Sequence, residues 1–153
     1  MIEKRESITA ELCSFARAYH STYEKNKIYD DYLAFDLMGR DQYETIKQLI
    51  VKNFDTEALD PNADIAAKDI LTTLNRYITP IPLARIAFAE TELQKFAALH
   101  PHCQYVICGA GMDTYSFRNT NDKMHIFEVD HPDTQKYKLK KIWVCTKSCV
   151  NEK

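Results

Sequence analysis

Apolar residues in the first half of the chain recur at helical spacing. Ile8, Leu12, Phe15 and Tyr19 are separated by 4, 3 and 4 positions, one stripe of a helix that Ser7 could cap. Tyr43, Ile46 and Ile50 share one face of a second helix, for which Asp41 is the candidate cap. The aromatic-rich stretch between them, from Ile28 to Asp36, follows neither period. Residues 53–63 carry Asn, Asp and Pro and read as a loop, and 64–77 read as a third helix with Ile65, Ile70, Leu71 and Leu74 apolar. Thr79-Pro80-Ile81-Pro82 is a break, because proline lacks the N–H and steers the residue before it away from helix. The clearest helix follows, from Leu83 to about Leu99, with Leu83, Ile86, Ala87, Leu93, Phe96 and Ala97 along one side.

Then the period changes. Gln104-Tyr105-Val106-Ile107-Cys108 is a short β-prone run that ends in Gly109-Ala110-Gly111. Met124 to Asp130 reads as a second strand, Pro132 suits a helix start, and Thr134 to Ile142 reads as a helix. Helices followed by strand, glycine turn, short helix, strand and helix predict an α/β chain. It has an N-terminal helical cap region over 1–80 and the opening of a doubly wound sheet over 81–142. An atypical tail occupies 143–153.

Composition narrows the class. With 45% hydrophobic and 27% charged residues, the 153-residue chain has the make-up of one globular domain. A net charge of −2 argues against a nucleic-acid partner, which selects a basic excess. Residues 136–153 hold six Lys and one Glu, net +5 against −7 for the remainder, read as a solvated helix face and a frayed end. No apolar run approaches the roughly 18 residues of a membrane span, and no apolar h-region follows the first residues. Five cysteines without a C-x-x-C pair suit reduced thiols. These features together predict a cytoplasmic protein with no membrane partner. Cys145 and Cys149 read as ordinary thiols rather than zinc ligands, and His100 and His102 as loop residues rather than metal ligands.

The candidate chemistry lies in the glycine turn. A strand running into Gly-x-Gly lets a ligand approach the backbone at the C-terminal edge of a sheet, where open α/β sheets bind. Glu128 and Asp130 follow Gly109 by 19 and 21 residues, near the spacing of about 20 at which an acid meets a ribose. A dinucleotide fingerprint wants a third glycine where Thr114 stands, and Asp113 opposes a pyrophosphate. Both count against NAD and favour a nucleoside ligand without phosphate, such as S-adenosylmethionine.

Gly109-Ala110-Gly111-Met112-Asp113-Thr114 with Arg118, followed by Phe127-Glu128-Val129-Asp130-His131-Pro132, resembles the leucine carboxyl methyltransferase family. That family includes polyketide-synthesis O-methyltransferases. Ala84-Arg85 and Thr134-Gln135 with Lys138 extend the resemblance over about residues 10–140. The resemblance implies a class I, Rossmann-like methyltransferase using S-adenosylmethionine on a small-molecule or carboxylate acceptor. It implies that Gly109, Ala110 and Gly111 border the methionine moiety and that Asp130, with Glu128 beside it, takes the ribose hydroxyls. It implies that Arg85 pairs with the cofactor carboxylate, and that Asp113 and Arg118 brace the loop. A loose match sets Arg17 near the site, but the favoured reading is a surface helix charge. No residue is singled out as a catalytic base among His20, His125 and His131. The family sheet has seven strands, so the resemblance also implies a sheet left incomplete at the C-terminus. Such a chain is expected to show little activity alone and to self-associate or take a partner through open strand edges. The alternative is a non-catalytic helical interaction module with a relic cofactor loop.

Overall fold

A computed structural model describes residues 8–53 and 67–150, with side chains placed for 9–53 and 70–143. Seven helices and two strands are described, in the order α1 (Ile8–Tyr23), α2 (Ala34–Met38), α3 (Arg40–Asn53), α4 (Ala67–Tyr77), α5 (Pro80–Leu99), β1 (Gln104–Cys108), α6 (Tyr115–Arg118), β2 (His125–Val129) and α7 (Pro132–Val150). The mixed helix-and-strand chain is an α/β protein, with helices alone up to Leu99 and strands alternating with helices after it.

The helical body is built around α1, which packs on α2, α3 and α4. Its core joins Phe15 and Ala18 of α1 to Ala34, Met38, Tyr43, Ile46, Ile50, Ile70 and Leu71. The aromatic rings are mutually arranged, with Phe15 and Tyr43 stacked at 4.7 Å between centroids and Phe35 tilted on Tyr43 at 5.0 Å. Such ring pairs add to the stabilisation that burial supplies.

The stripe expected on α1 is displaced. Leu12 is 37% exposed, whereas Glu11, Ser14, Arg17 and His20 are buried beside Phe15 and Ala18. The helix is covered on two sides: apolar helices lie against one, and the glycine turn and the Tyr29–Asp31 segment lie against the other. The buried face therefore takes in a polar stripe next to the apolar one.

Other boundaries also move. The segment from Ile28 to Asp36 is partly helical, since α2 begins at Ala34; it ends at Met38, before Gly39, whose φ of +80° a glycine adopts without strain. Asp41 lies inside the first turn of α3 and is not its cap. The expected break separates α4 from α5, and Pro80 is itself the first residue of α5, where its missing N–H costs nothing, so the helix starts three residues earlier than Leu83. Phe96 is 52% exposed and rests on His100, at 4.6 Å between ring centroids, so it leaves the face it was expected to share with Leu83. Helix α7 extends beyond Ile142 to Val150, through much of the expected tail. Ser7 and the 54–63 part of the loop lie outside the described residues, as do 64–66 of the third predicted helix.

Strands β1 and β2 pair in parallel, Gln104 opposite His125 and Cys108 opposite Val129. Side chains alternate across the pleat. Tyr105, Ile107 and Ile126 face inward onto Leu93 and Ala97 of α5, Tyr115 of α6, and Cys103 and Met124. The pair places the C-terminal ends of both strands beside α1, and there the site is found.

Among the described residues, no helix is long and apolar enough to cross a membrane, and no group of three or more His, Cys, Asp or Glu could hold a metal ion. Cys13, Cys103 and Cys108 are free thiols. Cys145 and Cys149 lie on the part of α7 whose side chains are outside the description.

Candidate cofactor site

The glycine turn starts where β1 ends. The N–H groups of Gly109 and Ala110 both donate to the Val129 carbonyl, at 2.7 and 3.2 Å, which draws the turn over the end of β2. Gly109 and Gly111 have φ of +70° and +50°, conformations that L side chains rarely adopt. At Gly111 a Cβ would stand 3.2 Å from Ala10 Cβ of α1, so this glycine also permits a close approach between turn and helix.

Asp130 closes the turn from the other strand. One carboxylate oxygen accepts the Gly111 N–H at 2.6 Å and the other accepts the His131 N–H at 2.6 Å. These bonds fix the carboxylate. Each oxygen retains a lone pair, so the group can still receive two hydroxyls.

A cleft of about 380 Å³ opens here, lined by the turn, Asp113 and Asp130 on the sheet side and by Thr9, Ala10, Cys13, Arg17 and Ile86 on the helical side. The structure brings Gly109, Ala110, Gly111 and Asp130 together in this cleft. Glu128 faces elsewhere: its carboxylate accepts Ser116 Oγ at 2.6 Å and Lys138 Nζ at 2.5 Å, which ties β2 to α6 and α7. Arg85 is exposed on α5 next to Ile86, and no contact described joins it to the turn.

Arg17, for which the sequence favoured a surface charge over a place near the site, lines the cleft. It is only 4% exposed and its Nη2 donates to the Met112 carbonyl at 2.6 Å. Its Nε stands 3.5 Å from Asp31 Oδ2 as an ion pair without hydrogen-bond geometry. The legible signal was Ser14, Arg17 and His20, a polar series at spacing 3 beside the apolar stripe.

Behind the turn lies a buried polar network. Thr114, where a dinucleotide site would have glycine, is fully buried and donates to Asp31 Oδ1 at 2.6 Å. Arg118 Nε donates to the Thr114 hydroxyl at 2.9 Å, and its two terminal nitrogens donate to Glu90 at 3.2 and 2.6 Å. Arg118 also donates to the Tyr29 hydroxyl, which in turn donates to Glu90 at 2.5 Å. Burial works against the Arg118 charge, but the Glu90 hydrogen bonds and the nearby Tyr29, Glu90 and Asp31 outweigh it, so its pKa lies above the ordinary value. Burial, and then the bond to Glu90, push the Tyr29 hydroxyl well above its ordinary range. Asp113 Oδ1 accepts the Tyr115 N–H at 2.7 Å and starts α6. Asp113 and Arg118 thus brace the loop.

Of the histidines named as base candidates, His20 is buried, accepts the Ile28 N–H at Nε2 and so donates from Nδ1 to Asn75 at 3.0 Å. It holds α1 to α4. His125 and His131 are exposed, and neither lines the cleft.

The fold and site define a class: an α/β protein with a glycine turn and an acid at the C-terminal ends of two parallel strands. The leucine carboxyl methyltransferase family model matches residues 10–147, and the chain belongs to that family. It is 34% identical over 147 residues to a Bacillus subtilis (strain 168) protein named "Putative S-adenosyl-L-methionine-dependent methyltransferase YktD". The match takes in 93% of this chain and 48% of that relative, so the chain spans about half the relative's length. No solved structure matches.

Proposed function

We propose that this chain supplies the S-adenosylmethionine-binding part of a methyltransferase with a Rossmann-like sheet. The observation that carries the reading is Asp130, held by the Gly111 and His131 amides in one cleft with the turn and Arg17. When bound, the cofactor supplies a methyl group made electrophilic by its sulfonium. The chain's own residues bind and orient. Gly109, Ala110 and Gly111 border the methionine moiety, Asp130 accepts the ribose hydroxyls, and Glu128 steadies the strand beneath. A guanidinium suits the cofactor carboxylate through paired N–H donors. Arg85 is the family-based choice, and Arg17 is the cation that the cleft itself contains.

The methyl acceptor is a small molecule or a carboxylate. A carboxylate is ionised at neutral pH and needs no base, only alignment with the methyl group. A hydroxyl would need a base within reach.

Calorimetric titration with S-adenosylmethionine tests the proposal. Heat of binding is expected from the chain, and none from Asp130→Ala. The absence of heat from both would leave the second reading, a helical interaction module with a relic loop.

A further inference from the structure

Asp31, in the segment between α1 and α2, is 1% exposed, and α1, α6 and the loop before α6 all reach it. Its N–H donates to Ser21 Oγ of α1 at 2.7 Å, which ties its backbone to that helix. Its Oδ1 accepts the Thr114 hydroxyl and lies 3.6 Å from Arg118 Nε. Its Oδ2 faces Arg17 Nε at 3.5 Å, and among the described residues neither atom has a hydrogen bond. Ser14 Oγ, three residues before Arg17 on α1, is likewise buried without a partner.

Two cations thus adjoin one carboxylate, and they differ. Arg118 has a second counter-charge in Glu90, which takes its terminal nitrogens. Arg17 has Asp31 alone among the described residues. A buried ion pair short of hydrogen-bond geometry recovers little of its desolvation cost, so stability is a poor account of this contact. Orientation is a better one. A guanidinium is planar, and a charge beside Nε sets the rotation of the plane and the direction of the terminal N–H groups. One of these goes to the Met112 carbonyl, and Arg17 lines the ligand cleft, whereas Asp31 is not among the residues that line it. Arginine takes a carboxylate through two parallel N–H bonds, a contact that depends on that rotation.

We propose that Asp31 is a positioning residue of the cleft, aiming the Arg17 guanidinium at the carboxylate of the ligand without touching the ligand itself. The inference rests on the cofactor reading and assigns the carboxylate to Arg17 over Arg85. Its test is calorimetric titration of the 153-residue chain with S-adenosylmethionine and with the decarboxylated analogue, which differs only in lacking that carboxylate. S-adenosylmethionine is expected to bind at least about tenfold more tightly, and Arg17→Met should abolish the preference. Asp31→Asn, which keeps the shape and the acceptor for Thr114, should reduce it by about tenfold as well. A carboxylate that merely offset the Arg17 charge would act the other way, because its neutralisation leaves Arg17 more attractive to an anion and raises the preference. Ile46→Val, in the helical core, should leave the preference as it is. Equal binding of both ligands by the unaltered chain, a preference unchanged or raised in Asp31→Asn, or one unchanged in Arg17→Met would overturn the proposal and leave the cofactor reading standing. Loss of helical circular dichroism in Asp31→Asn would make the residue structural and overturn it too. A chain that binds neither ligand would overturn both.

Discussion

At Gly111 two demands coincide, a left-handed backbone and a helix surface 3.2 Å from where a Cβ would stand. Gly109 has the first demand and open space around it. Gly109→Ala should therefore cost about 1 kcal/mol of backbone strain, and Gly111→Ala more, about 2 kcal/mol or above, since α1 must also yield. Urea denaturation of both variants measures the difference, and equal losses would refute it. Tyr29 carries a second residue-scale prediction. Its pKa is raised above 10.0, by burial first and by Glu90 second, so the native state holds this proton more tightly than the unfolded chain does. The stabilisation is complete below pH 10 and is lost as pH rises above it. Tyr43 is raised in the same direction by burial. Urea midpoints should fall between about pH 8 and about pH 11, and Tyr29→Phe should flatten that fall.

At the scale of elements, the helical body is held by one apolar core, in which Ile46 of α3 is buried among Phe15, Tyr43 and Ile50. Ile46→Ala should cost about 2–5 kcal/mol, read from the same denaturation curves. The strands, the glycine turn, the second helix face with Ile46, and α5 were all legible, because each rests on a local period or a turn residue. What stayed hidden depends on contacts distant in sequence. Arg17 looks like a surface charge until residue 112 is placed against it, and Leu12 looks like core until α1 is seen to be covered on two sides. Glu128 and Asp130 are two residues apart, a spacing that would set them on one face of a strand reaching Asp130, whereas β2 ends at Val129. Yet Lys138 and Ser116 claim the first and the turn amides claim the second, a division that no spacing announces.

On the scale of the whole molecule, stability is unevenly distributed. Among the described residues, the core of the helical body holds nine buried residues and the cluster beside the sheet three. Amide exchange should therefore show the β1 and β2 amides opening at lower free energy than those of α1 and α3. Uniform protection across both regions would contradict this.

The bonds from Arg17 to Met112 and from Thr114 to Asp31 join residues 95 and 83 positions apart. Synthesis runs from the N-terminus at about 5–20 residues per second, so Met112 follows Arg17 by roughly 5–20 s. Through that interval Arg17 of α1 and Asp31 of the segment before α2 have their ion pair but not the Met112 carbonyl and the Thr114 hydroxyl that later bond to them. The helical body can gather early on its apolar side, while its polar side stays hydrated until the glycine turn is made. The turn that shapes the cleft is thus also the clasp that finishes α1, and a ribosome that pauses before residue 112 holds a chain with its charged seam still open.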